Sequence, residues 1–272
     1  MAAVRPAAVA GSFYPRDARA LCSLIREYLD AARKSLAAPD PWPKALIVPH
    51  AGYMYSGQVA AAAFVRVEAA RELVSRVVLI GPSHRVRFTG LAVPSSTAFA
   101  TPLGSVDVDE TARRQILPFP FVDVLDDAHR SEHSLEVQLP FLQEVLGAFA
   151  VLPVAVGGAS SAQVEQVLEV LWGGDETLIV VSSDLSHYFD YDTAKRMDAA
   201  TASAIESLEP EAIGPEDACG RTGVQGLLTA ARRHELRART LALRSSGDTA
   251  GGRAEVVGYG AWELTVSKNG SP

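Results

Sequence analysis

The sequence predicts an α/β fold, a three-layer sandwich with a central mixed sheet and helices on both faces. Three observations predict it. The apolar runs "ALIV" (45–48), "VVLI" (77–80) and "LIVV" (178–181) are continuous rather than alternating. Such runs mark strands covered on both faces. Strand-like runs also alternate with helical patterns along most of the chain, the signature of layered α/β proteins. Finally, two β segments follow one another near the end with no helix between them, which adds antiparallel strands to the sheet. No fixed-period repeat and no low-complexity linker divides the 272 residues, so one domain, 1–272, is expected.

Residues 17–35 read as an amphipathic helix, with Leu21, Leu24, Ile25, Tyr28 and Leu29 at helical spacing and Asp17 as N-cap. The stretch "AAPDPWP" (37–43) cannot continue it. Strand 44–48 leads through a glycine-rich loop, "GYMYSG", into an Ala-rich helix, 57–70. Strand 76–80 precedes short β pieces at 89–106 and a capped helix at 107–116, which "PFPF" interrupts. A helix at 133–146 carries Pro140 as a kink. Strand 149–156, helix 160–172, strand 177–182, helix 192–207 and helix 222–235 follow. The closing β segments, 238–244 and 254–266, flank a polar loop.

Hydrophobic residues make up 48% of the chain, enough for a sizeable core. The net charge of -7, with arginines scattered and no basic run, argues against a nucleic-acid surface. Two cysteines, Cys22 and Cys219, suggest no disulfide framework. The start, "MAAVRPAAVAGSFYP", lacks a continuous apolar signal region, and no run of apolar residues is long enough to cross a membrane. A cytoplasmic protein is expected.

His50, His84 and His187 each fall just past a buried strand. Ligands of open α/β sheets sit beyond the carboxyl ends of the strands. If the three strands are parallel, the three imidazoles emerge at one edge, and Gly52 and Gly81 let backbone approach. One such histidine is ordinarily a hydrogen-bonded surface residue. Three of the chain's six in the same position argue for a site. Asp184, three residues before His187, either orients that imidazole or takes a proton itself; otherwise it caps the strand end. His129 and His133 lie among acids in "DDAHRSEHSLE", where the plain reading is a polar helix start; His133 is the better site candidate. Cys219 precedes a helix beside Arg221, a setting that favours the thiolate, although a buried inert thiol fits as well. Cys22, at core spacing with Ile25 and Leu29, reads as packing. "GYMYSG" lacks the Lys-Ser/Thr of a phosphate-binding loop, and no GxGxxG follows a strand, so nucleotide binding is not expected.

The motifs "RPAAVAGSFYP", "PHAGYMYSG", "GPSH", "TPLGSVDVD", "SEHSLEVQLPFL", "SSDLSHY" and "CGR" occur in that order. Together they resemble the Memo family, also called AmmeMemoRadiSam system protein B, from Arg5 to about Leu264. The resemblance implies a fold similar to class III extradiol dioxygenases. It also implies a metal held by two histidines and a cysteine, which here are His50, His84 and Cys219. Asp184, His187 and His133 match residues of the same pocket. Thr222 stands where the family often has a histidine. A cysteine in place of the dioxygenases' carboxylate departs from the facial triad. The expectation is one transition metal ion, iron(II), with copper or zinc as alternatives, serving a redox protein with His187 and Asp184 as acid/base. A non-catalytic metal- or peptide-binding module and a zinc-dependent hydrolase are the other readings. The family name links it to a radical-SAM protein and a third component as partners.

Overall fold

The computed structural model describes residues 3–35 and 42–266; most of the proline-rich stretch 37–43 lies outside them. In chain order the strands are β1 (Val4–Arg5), β2 (Ala45–Val48), β3 (Arg76–Pro82), β4 (Leu91–Val93), β5 (Ala98–Thr101) and β6 (Gly104–Val108). They continue as β7 (Val122–Val124), β8 (Ala150–Val156), β9 (Thr177–Ser182), β10 (His187–Phe189), β11 (Leu236–Ser245) and β12 (Val256–Val266). The sheet runs β1-β5-β6-β8-β3-β9-β2-β12-β10, with β11 paired to β12 and β4 to both β7 and β8. Strands β6, β8, β3, β9 and β2 are mutually parallel neighbours, and β12 adds antiparallel to β2.

Alternation across the pleat explains why the central runs are apolar throughout. Leu46, Val48, Val77, Leu79, Leu178 and Val180 face one core, with α1 (Ala18–Ser35), α2 (Tyr53–Phe64) and a short helix, Leu139–Val145, packed on it. Their neighbours Ala45, Ile47, Val78, Ile80, Ile179 and Val181 face the other core. That face is covered by α3 (Glu110–Ile116), α6 (Ser161–Leu171), α7 (Tyr191–Glu206) and α8 (Arg221–Arg233), where α4 is Asp126–Arg130 and α5 the Leu139–Val145 helix. Each fully buried Val, Leu or Ile contributes roughly 1.5–3 kcal/mol, so the two faces supply most of the stability.

Three expectations are corrected. "GYMYSG" is helical: α2 begins at Tyr53, and the chain passes into a 3-10 turn, Val65–Ala70. Pro140 kinks nothing, because it sits in the first turn of α5, where its missing N–H is no loss. The segment before α5 is a short 3-10 turn, Glu136–Gln138, rather than the start of a long helix. Asp17 does cap α1, accepting the Ala20 N–H at 2.9 Å.

The N-terminal arm is tied to the centre by a buried ion pair. Arg5 and Glu136 are 5% and 0% exposed at their side chains, so the pair is shielded from water and salt. Arg5 also donates to the carbonyls of His129 (2.9 and 2.8 Å) and Glu132 (2.7 Å). Glu136 in turn accepts from Ala8 N (2.8 Å), Val9 N (3.0 Å) and Tyr14 Oη (2.5 Å). Removing one partner leaves the other buried and uncompensated. Arg5→Ala is therefore expected to cost about 3–5 kcal/mol, read from urea unfolding; a loss below about 1 kcal/mol would show the pair to be replaceable by solvent.

Candidate metal centre

The topology brings the strand-end residues together. β9 lies between β3 and β2, and all three are parallel. His50 is the second residue past β2, His84 the second past β3, and Asp184 the second past β9. One edge of the sheet therefore presents all three. His133 enters from the loop after α4, and Cys219 from the turn before α8. Gly220 makes the Cys219 placement possible: a Cβ there would stand 2.6 Å from the Ser182 carbonyl oxygen and 2.7 Å from Ser183 Cβ. Its absence lets the start of α8 rest on the end of β9, where Gly220 N donates to Ser183 Oγ (2.9 Å) and Cys219 N to the Asp184 carbonyl (3.2 Å).

These residues line a cavity of about 570 Å³, which includes His50, His84, His133, Asp184, His187 and Cys219, with Arg85, Tyr188 and Glu216 among its other walls. Donor atoms of His50, His84 and His133 lie within 4.8 Å of one another, close enough to share one ion. The His84 and His133 rings stack at 4.7 Å, and His50 meets them at 5.1 and 5.5 Å. Cys219 joins through His50, its Sγ 3.2 Å from Nε2.

Hydrogen bonds fix which nitrogen each ring offers. Ser182 has one hydroxyl proton and gives it to the Ser134 carbonyl at 2.6 Å, while accepting from Gln138 Nε2 at 2.9 Å. The His50 Nδ1 at 2.8 Å must then be the donor to Ser182 Oγ, which leaves Nε2 with its lone pair towards Cys219. His84 Nδ1 lies 2.9 Å from Glu132 Oε1, an acceptor, so Nδ1 carries a proton and Nε2 is the nitrogen left outside that bond. His187 Nδ1 donates to the Leu185 carbonyl at 2.7 Å, with the same result. His133 differs: its Nδ1 is 3.2 Å from Glu132 Oε1 but out of line, and it is buried without a hydrogen bond.

Electrostatics suit a cation. Burial, then the neighbouring His84 and His133, push His50 well below its ordinary value, so its imidazole is neutral. Burial pulls His133 down to about 4. Glu132 moves the other way from what burial dictates: hydrogen bonds from His84 and Ser134 outweigh desolvation and hold it at about 2. It is ionised, 1% exposed, and collects the N–H groups of His84 (2.5 Å), His133 (2.9 Å) and Ser134 (2.9 Å). A buried carboxylate behind the His84 and His133 rings places negative charge where a metal could meet it.

Some sequence expectations need revision. Asp184 does not orient His187; it accepts the His50 N–H at 2.7 Å, and its other oxygen is 4.0 Å from His50 Nε2. Burial raises Asp184 to about 7. Cys219 is not favoured as thiolate, because burial and the adjacent Asp184 push its thiol up. It therefore stands as a thiol whose proton points to His50 Nε2. Cys22 is only partly buried and donates to Glu144 Oε1 at 3.2 Å, so it is not a core residue. His129 is buried away from the cavity and hydrogen-bonds the Ala92 carbonyl at 3.0 Å. The pairing of β10 with β12 shifts register between His187 and Phe189, leaving Tyr188 as a bulge at φ +63°. Bulges commonly re-aim side chains beside functional sites; here His187 lines the cavity while Tyr188 stands 73% exposed at its mouth.

The family model for Memo-like proteins matches residues 5–263. The chain belongs to the Memo family. A MEMO1 family protein of Aquifex aeolicus is 35% identical over 271 residues, covering 94% of this chain and 97% of its own. One from Thermotoga petrophila is 38% identical over 277 residues, covering 94% and 97%. One from Aeropyrum pernix is 35% identical over 285 residues, covering 95% and 98%. This Memo protein thus matches its relatives along almost their whole length. No helix among its described residues is long and apolar enough to cross a membrane.

Glu132 is the site residue that sequence reasoning missed. Glu132→Gln keeps the shape but loses the charge that fixes His84. The expected outcome is metal affinity lowered about 10–100-fold, measured by chelator competition, with near-UV circular dichroism unchanged. Unchanged affinity would show that His84 is oriented by something else.

Proposed function

We propose that this Memo protein is a metal-dependent redox protein. It holds one transition metal ion, iron(II) foremost and copper next, through His50 Nε2, His84 Nε2 and Cys219 Sγ. The observation that supports the reading best is the tautomer control described above. Pinning Nδ1 on both His50 and His84 leaves their Nε2 atoms as the nitrogens available to a ligand at one cavity beside a thiol. The donor set suits the group: imidazole and thiolate select soft or borderline ions such as iron, copper and zinc over magnesium or calcium. His133 stands within the same reach and is the competing third donor.

A bound redox ion would supply electron-transfer chemistry to a small substrate in the cavity. The chain's own residues do the rest. His187 presents a bare Nε2 to the cavity and accepts a proton there. Asp184, near neutrality, holds or releases one at the cavity floor. Ser182, Gln138 and Glu132 keep the ligand rings in place. A radical-SAM protein remains the partner class that the family name suggests.

Titration of iron(II) and copper into single variants tests the ligand roles. His50→Ala and His84→Ala should abolish binding, whereas His187→Ala should retain the metal with affinity lowered no more than about 10–100-fold. Equal loss in His187→Ala would place it among the ligands, and binding by all three variants would overturn the site. Turnover of any substrate with zinc alone would favour hydrolysis.

Proton release distinguishes Cys219 from His133. At about pH 8.5, Asp184 is ionised and the imidazoles of His50 and His133 are neutral, whereas the Cys219 thiol keeps its proton. Metal uptake through the cysteine should release about one proton per ion, read from the dependence of binding heat on buffer ionisation. Uptake without proton release would assign the third place to His133.

A further inference from the structure

Between α7 and the end of β11 lies a second cavity of about 440 Å³, lined by Tyr191, Lys195, Asp198, Leu243, Arg244 and Asp248, with Ser245 at its base. It shares no lining residue with the histidine cavity. Small-molecule sites occupy roughly 300–1,000 Å³, so the volume is sufficient for a ligand.

Asp198 sets this cavity apart from an ordinary surface cleft. It lies on the inner side of α7 and is 3% exposed. The Ser186 N–H donates to its Oδ1 at 3.1 Å. The Ser186 hydroxyl is beside the same carboxylate, but it lacks hydrogen-bond geometry. Among the described residues no cation pairs with Asp198, and the charged group that acts on it is another acid, Asp217. Lys195, one turn earlier on the same helix, leans instead over the Tyr191 ring at 5.9 Å. Burial accordingly raises Asp198 to about 6. A buried carboxylate with no cation is costly, and a ligand's ammonium group is the chemistry that would satisfy it.

The mouth of the cavity has the opposite character. Lys195 and Arg244 are exposed, and among the described residues neither takes part in an ion pair. The remaining acid, Asp248, is already occupied: it accepts from Tyr191 Oη at 2.6 Å and from Ser245 N at 2.9 Å. Leu243, 37% exposed, supplies the apolar side, while the Tyr191 ring carries the Arg253 guanidinium at 4.3 Å. A cation-seeking floor, an anion-seeking mouth and an apolar side describe one class of small molecule.

We propose that this cavity binds a small zwitterion of the amino-acid type, with its ammonium group on Asp198, its carboxylate on Arg244 and Lys195, and its apolar part against Leu243. The reading is independent of the metal centre.

The test uses the full chain, free of metal, with three probes: L-norleucine, butylamine and butyrate. Binding is followed by saturation-transfer NMR and by titration. Norleucine should saturate the protein and bind more tightly than either singly charged probe. Arg244→Ala, at an exposed position, should weaken norleucine about tenfold or more. Asp198→Asn, which keeps an oxygen for the Ser186 N–H, should abolish its preference over butyrate. His50→Ala should leave binding unchanged, which excludes capture by the histidine cavity. The proposal is overturned if norleucine does not saturate the native chain, or binds no tighter than butylamine or butyrate. It is also overturned if binding survives Arg244→Ala at native strength or is lost in His50→Ala. Should Asp198→Asn fail to fold, the Arg244→Ala and His50→Ala results decide.

Discussion

The candidate metal centre depends on one buried carboxylate. Glu132 is ionised in a place where burial alone would neutralise it, because four N–H groups converge on it: the ring and backbone of His84 and the backbones of His133 and Ser134. That convergence joins two separate parts of the chain, the end of β3 and the loop after α4. It fixes the His84 ring and tautomer, places His133 beside it, and puts a negative charge behind both. Without that charge the neighbouring imidazoles would face one another with nothing to favour a cation between them.

A buried charge of this kind needs a rigid frame, and Arg5 provides it. Its guanidinium holds the carbonyls of His129 and Glu132 while pairing with Glu136, so the loop that carries Glu132 and His133 is clamped from the N-terminal arm. On the other side of the cavity, Ser182 at the end of β9 accepts from His50 and Gln138 and donates to Ser134. One hydroxyl thereby ties the two histidine-bearing sides together. Such fully satisfied networks rigidify a site more than the same bonds would singly.

The parts legible in the sequence are those set by one-dimensional pattern. Continuous apolar runs marked β2, β3 and β9 as buried strands, and His50, His84 and His187 could be named as residues past their carboxyl ends, with Asp184 named through its spacing from His187. Glu132 could not be, because its role lies in a non-repetitive segment that meets β3 only in three dimensions. The presentation of His187 turns on a bulge at Tyr188, and no residue type demands one there. Glycines misled the reading of "GYMYSG" as a loop. Gly57 is instead the point where α2 packs on α1, since a Cβ there would stand 2.6 Å from the Tyr28 ring. Helix-end reasoning left Cys219 open between a thiolate and a buried thiol, and burial with the adjacent Asp184 favours the thiol. The thiol is thus held protonated until something displaces the proton.

The most direct measurement of the central claim is X-ray absorption at the metal edge of the protein loaded with one equivalent of zinc, whose ligand distances are well separated by donor type. The account predicts imidazole nitrogens at about 2.0–2.1 Å, with their outer-shell scattering, and one sulfur at about 2.3 Å. A first shell of oxygen alone, without imidazole scattering, would contradict it.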